Sequence, residues 1–314
     1  MSLISKDLKA VGIYILTTFL IAFALGLGIY LAGGLRSWVA LPSLIGVMFT
    51  PLIGAVTAAS FITHEGWRAF GLSKGRPIYY LLAMIYPFII VGLGLLFVAL
   101  LGTARIVLIS LEVVGPVKVP AYIVIVNLAL APLINFIPAF GEEYGWRGFL
   151  LTKLTRMYGL TAGLLLTGLV WGLWHAPFIL MGLNYPHHPD IVGVGTFTAW
   201  CILVGFFLGW LRLKSRSVFP AALAHGAINA YVGLGLLLAP SPDELMTIPL
   251  GFPVFPALLI VAIASYLDLK KALKQKAKGE EGSASLASFY TFHILVNNPR
   301  SKSNEENTRD QNWV

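Results

Sequence analysis

Charge is the first thing this sequence is short of. Only 11% of its 314 residues are charged, against about a quarter in soluble globular domains, and 57% are hydrophobic. That scarcity excludes an ordinary soluble domain and points to a polytopic membrane protein. Cysteine is nearly absent as well. The single Cys201 rules out a disulfide framework within the chain and leaves the redox compartment open. No HExxH helix occurs, so a one-helix zinc protease site is not present. No internal or inverted repeat stands out, which weakens a transporter reading. The N-terminal stretch MSLISKDLKAVG has no small-residue cleavage site after a short apolar core, so it reads as part of a retained first span.

Long apolar runs are what the chain does have. A helix needs roughly 20 apolar residues to cross the hydrocarbon. Eight runs of about that length lie near 11–32, 38–62, 78–101, 121–150, 159–181, 191–211, 218–239 and 249–267. The expected fold is therefore all-α, a polytopic membrane helix bundle of about eight transmembrane helices. The membrane domain should occupy residues 1–276. Residues 277–314 (GEEGSAS, then a polar stretch of little periodicity) read as a disordered tail.

The net charge of +8 would suit nucleic acid, but its placement argues against that. Lys6, Lys9, Arg68, Lys74, Arg76, Lys153, Arg156, Arg212, Lys214, Arg216, Lys270, Lys271, Lys274, Lys276 and Lys278 fall in alternate connections and beyond the last run. The other connections carry only Arg36, Arg105 and Lys118, beside Glu112, Asp190, Asp243 and Glu244. By the positive-inside rule the basic connections are cytoplasmic, and an even number of spans puts both termini there. The basic charge then marks a face toward anionic lipid.

Ionisable groups at bilayer depth cost a few kcal/mol each on insertion scales, so each needs a reason. The candidates are Glu142, Glu143 and Arg147 in EEYGWR (142–147), His175 in WGLWH (171–175), and His225 with Asn229 in HGAIN (225–229). Glu143 and Arg147 are spaced i, i+4 and can pair on one helix face. Glu142 lies about 100° away and has no such partner in that reading, so one glutamate holds an arginine and the other is left for proton transfer. His225 and Asn229 again share a face, as do Trp171 and His175.

Depth tests the set. With span four ending at Lys153, Glu142 lies about 16 Å in. His225 and Asn229, counted from Ser217, lie about 12 and 18 Å in. His175, counted from Tyr158, lies about 25 Å in and joins them only if span five starts outside the membrane or tilts strongly. The chemistry on offer is peptide hydrolysis. A carboxylate and an imidazole activate a water, while a second imidazole and a carboxamide stabilise the oxyanion. Zinc held by Glu142, His175 and His225 is the alternative. The pairs His64 with Glu65 and His187 with His188, in connections, read as interfacial or solvated.

EEYGWR, WGLWH and HGAIN, in this order on separate runs, resemble the three motifs EExxxR, FxxxH and HxxxN/D of the CPBP family of intramembrane proteases. That family includes the type II CAAX prenyl endopeptidases as well as bacteriocin-processing and immunity proteins. The resemblance covers about 120–235. It implies an endopeptidase cutting near the C-terminus of prenylated CAAX-type proteins, within a cavity open toward the cytosol and lipid. It also implies that Glu142 and His175 activate water, His225 and Asn229 form the oxyanion hole, and Glu143 with Arg147 support the site. Trp171 stands where the family usually has phenylalanine, and the resemblance leaves a divalent metal such as zinc open. Two other expectations compete: a non-proteolytic immunity or scaffold protein of the same family, and a proton-coupled transporter using Glu142.

Overall fold

The computed structural model describes residues 3–106, 121–239 and 241–279. The expected tail beyond 279 and much of the 102–119 connection lie outside them. The described residues are helical, with no strand among them. The helices are α1 (Leu3–Leu31), α2 (Ala40–Met48), α3 (Thr50–Ala58), α4 (Ile78–Leu101), α5 (Ala121–Glu143), α6 (Leu151–Trp174), α7 (Ala176–Leu180), α8 (Ile191–Ser215), α9 (Phe219–Leu238) and α10 (Phe255–Gly279). Among the described residues, six stretches are long and apolar enough to cross a membrane: Leu3–Leu31, Ala40–Thr63, Ile78–Leu101, Ala129–Leu180, Ile191–Ser215 and Phe252–Gln275. An all-helical, membrane-integral bundle is thus the observed architecture, with six qualifying stretches set against the eight runs expected.

Large apolar side chains on the outside have the same origin. Leu16, Leu20, Leu27, Ile134 and Ile137 are all exposed. A helix apolar on every side belongs in lipid, where such residues meet acyl chains rather than water. The interior is aromatic: Trp146, Trp171, Trp174, Tyr14, Phe149 and Phe178 are fully buried. Rings meet edge to face, as between Tyr14 and Trp146 at 5.7 Å and between Trp146 and Trp174 at 5.7 Å.

The stretch Ala129–Leu180 doubles back on itself. Gly159 takes φ 82° and ψ 171° inside α6, a backbone open to glycine and strained for other residues. Past it the chain returns so closely that a Cβ on Gly163 would sit 2.3 Å from the Thr155 hydroxyl. The hairpin tip is held by ions. Lys153 and Arg156 pair with Asp7 on α1 and with Glu65, and Lys153 is 1% exposed. Glu65, expected to be interfacial or solvated, keeps 28% of its side chain exposed and is in addition an ion-pair partner.

Folding at Gly159 also resolves the depth problem. Glu142 lies seventeen residues before Gly159 (159 − 142) and His175 sixteen after it (175 − 159), on the two arms of one hairpin. Nearly equal distances from a shared turn bring them level.

Candidate active site

α5 does not end in a cap. It runs into a π-helix, Tyr144–Leu150, a form that appears mostly as short insertions at functional sites. Glu142 and Glu143 close the α-helical part, while Trp146 and Arg147 lie one turn on, in the π-segment. Both acid–partner pairs are spaced i, i+4. Arg147 Nη1 donates to Glu143 Oε1 at 2.7 Å, with both side chains at most 1% exposed. The Trp146 indole donates to Glu142 Oε2 at 3.3 Å. Glu142 therefore does have a partner in its own helical run, contrary to the expectation that it stands alone. An indole holds the carboxylate in place without neutralising it.

The returning arm supplies a second indole. Trp171 Nε1 donates to the same Glu142 Oε2 at 2.8 Å, and its ring lies 4.2 Å from the Arg147 guanidinium centre, a cation–π contact. Phenylalanine, the usual family residue here, would keep the stacking and lose the hydrogen bond. One turn later, His175 Nδ1 meets the Trp171 carbonyl oxygen at 2.9 Å. A carbonyl only accepts, so Nδ1 carries the proton and the neutral ring presents a lone pair at Nε2.

α9 brings the third motif. A Cβ on Gly226 would come within 2.8 Å of the Phe136 nitrogen and the Pro132 oxygen, so only glycine allows α9 this close to α5. The neighbouring His225 then reaches Glu143, with Nδ1 2.9 Å from Oε1, and its ring lies 5.3 Å from that of Trp171. Glu143 thus holds two groups, Arg147 and His225, where only Arg147 was expected. Among the described residues, Glu143 Oε2 and Arg147 Nε and Nη2 are buried with no hydrogen-bond partner.

Glu142, His175, His225 and Asn229 all line one cavity of about 270 Å³. Trp171, Trp174, Phe178, Phe197 and Trp200 supply aromatic wall, α2 contributes Leu44, Val47 and Met48, and Leu183, Asn184 and Leu250 come from two loops. All four side chains assigned to catalysis therefore line one space together with Trp171, while Glu143 and Arg147 lie outside that lining, Glu143 bonded to His225 and Arg147 against Trp171. Cys201 is buried and does not line that cavity. Trp146 and the aromatic walls other than Trp171 were missed in the sequence. The i, i+4 spacing of Glu142 and Trp146 was legible, whereas the walls come from contacts far apart in the chain.

Zinc fits this set poorly as placed. Ligand atoms around a tetrahedral zinc at 2.0–2.2 Å stand about 3.3–3.6 Å apart. Among the described residues, the His, Cys, Asp and Glu group whose ligand atoms lie within 4.8 Å of one another is His188, Asp243 and Glu244; Glu142, His175 and His225 do not meet that spacing.

Fold and site together define a class: a polytopic helical membrane protein in which a buried acid, a buried and a half-buried imidazole and a half-buried carboxamide line one cavity. Comparison with known proteins adds a likeness over one segment. Residues 123–231 match the family model described as Type II CAAX prenyl endopeptidase Rce1-like, a segment that contains all three motifs. A 92-residue stretch is 33% identical to CAAX prenyl protease 2 of Methanococcus maripaludis, covering 28% of this chain and 34% of the relative. The match thus spans about a third of that relative's length. The resemblance carried by the three motifs holds over this segment.

Proposed function

We propose that this protein is an intramembrane endopeptidase that hydrolyses a peptide bond near the C-terminus of a prenylated CAAX-type protein. The observation that carries the reading is the meeting of Glu142, His175, His225 and Asn229 in one cavity. The name of the relative and the family description support the substrate class.

The geometry gives each group a task. A water between Glu142 and His175 Nε2 gives up a proton and attacks the scissile carbonyl carbon. Indole bonds to Glu142 Oε2 fix that carboxylate and aim its second oxygen at the water. The tetrahedral oxyanion accepts hydrogen bonds from the Asn229 carboxamide and from His225. Because His225 Nδ1 is committed to Glu143, its Nε2 donates only when the ring is protonated. Collapse of the intermediate breaks the C–N bond, and the proton taken from water passes to the leaving amine. No step uses a metal.

Access follows from the loops and the lipid. Leu183, Asn184 and Leu250 lie at the end of the bundle away from the basic connections. We infer that they floor the cavity, leaving entry from the lipid and from the cytoplasmic face. A prenyl chain partitions into the bilayer and brings its attached peptide to this depth, converting a bimolecular encounter into a local one. The test is cleavage of a farnesylated CAAX peptide by purified protein. Turnover by the wild type that Glu142→Ala abolishes supports the reading, and unchanged turnover by that variant contradicts it.

A further inference from the structure

The loops that floor the cavity carry a second cluster of chemistry-bearing side chains, which the proposed reaction does not use. His187 and His188 sit between α7 and α8, and Asp243 and Glu244 sit between α9 and α10. His188 Nε2 lies 3.0 Å from Asp243 Oδ1, and His187 Nδ1 lies 2.7 Å from Glu244 Oε1. His187 and His188 were expected to be interfacial or solvated; His187 is 64% exposed, and both also pair across more than fifty positions of sequence.

Three features distinguish the cluster from an ordinary surface ion pair. The ligand atoms of His188, Asp243 and Glu244 all lie within 4.8 Å of one another. The Asp243–His188 separation of 3.0 Å is close to the roughly 3.3 Å between neighbouring ligands on a tetrahedral zinc. Glu244 Oε2 is buried and, among the described residues, has no hydrogen-bond partner, an orphan acceptor that carries a desolvation cost unless something binds it. The carboxylate of Asp243 is also held rigidly, accepting from the Leu245 N–H at 2.9 Å.

We propose that His188, Asp243 and Glu244 form a site for a borderline divalent first-row cation of the Zn²⁺ class, with His187 as a nearby fourth donor. Imidazole with carboxylates suits such an ion. The ion replaces the proton shared between His188 and Asp243 and takes up the orphan oxygen of Glu244. Its effect is to tie the loop 181–190 to the loop 239–251. The two loops are already bridged by the Tyr185 hydroxyl donating to the Leu250 carbonyl at 2.7 Å, and both line the cavity through Leu183, Asn184 and Leu250. The site is separate from the catalytic set and stands whether or not the proposed hydrolysis is correct.

The experiment is equilibrium dialysis of the full purified chain against Zn²⁺, with Co²⁺ absorption spectra as a second readout. Four proteins are compared: wild type, His188→Ala, Asp243→Asn and Glu142→Gln, each checked for monodispersity. The wild type is expected to bind about one Zn²⁺ saturably, and Glu142→Gln to bind equally well. His188→Ala and Asp243→Asn should each weaken binding by more than the roughly tenfold lost when an outer-shell partner is removed. Asp243→Asn keeps an oxygen for the Leu245 N–H, so it preserves the loop if His188→Ala does not. Absence of saturable binding, unchanged affinity in both loop variants, or loss through Glu142→Gln alone would each overturn the proposal.

Discussion

Two regions of this molecule bury several charges, and they treat them in opposite ways. At the tip of the Gly159 hairpin, Asp7 and Glu65 face Lys153 and Arg156, two acids against two bases. At the cavity, Glu142 and Glu143 stand against one permanent cation, Arg147, and an imidazole, His225, that carries charge only when protonated, and buried polar atoms on Glu143 and Arg147 lack partners among the described residues. A balanced cluster has nothing left to give a ligand, and its work is to pin α1 and the 63–77 connection to the hairpin. An unbalanced cluster retains unspent hydrogen-bonding capacity, which is what a reaction site needs. Buried charge alone therefore does not mark a site; the mismatch between charges does.

Variants that split the regions apart sharpen this contrast. The largest effect is expected from Glu142→Ala. Cleavage of a farnesylated CAAX peptide should fall by about 10²–10⁴-fold, the usual contribution of a positioned acid–base group, while the thermal midpoint stays near that of the wild type. The hairpin cluster should behave conversely. Asp7→Leu leaves buried cations without one of their acids, a loss of about 3 kcal/mol or more in stability, read by thermal or denaturant unfolding, with kcat/KM of the folded fraction unchanged. If Asp7→Leu instead abolished turnover without loss of stability, the division between the regions would be wrong.

Smaller effects come from the positioning residues. Trp171→Phe removes the indole bond to Glu142 and keeps the ring over Arg147. A lost hydrogen bond to a charged group is worth about 1.5–3 kcal/mol, so kcat should drop by roughly ten- to a hundredfold with KM little changed. A purely packing role for Trp171 would show no such split. The smallest effect is expected from chelation. The spacing of Glu142, His175 and His225 fits zinc poorly, so exhaustively chelated protein should cleave at close to the untreated rate, allowing for any loosening of the loops at His188 and Asp243. Complete loss, restored by zinc and independent of His188, would show that the three cavity residues close on an ion.

Much of the fold was legible because it rests on local composition. The apolar run at 78–101 became α4 to the residue and that at 191–211 became α8 with four further residues at its end, since a bilayer-length apolar run has few alternatives to a helix. The Glu143–Arg147 pair followed from helical spacing alone. The partners of Lys153, Asp7 and Glu65, were not legible because they lie on distant segments of the chain. His175 appeared too deep for the same reason, and Gly159, which resets both arms, was one glycine among 32. The second bond of Glu143, to His225, needed two helices in register, which no single-segment period reveals.

The central claim is that Glu142 does chemistry while its neighbour Glu143 holds the site together. Its most direct measurement is cleavage of a farnesylated CAAX peptide by wild type and Glu142→Gln, reconstituted in liposomes, with thermal unfolding followed on the same samples. The account predicts that Glu142→Gln unfolds within a few degrees of the wild type and cleaves at least about a hundredfold more slowly. A folded Glu142→Gln that cleaves at the wild-type rate would contradict it.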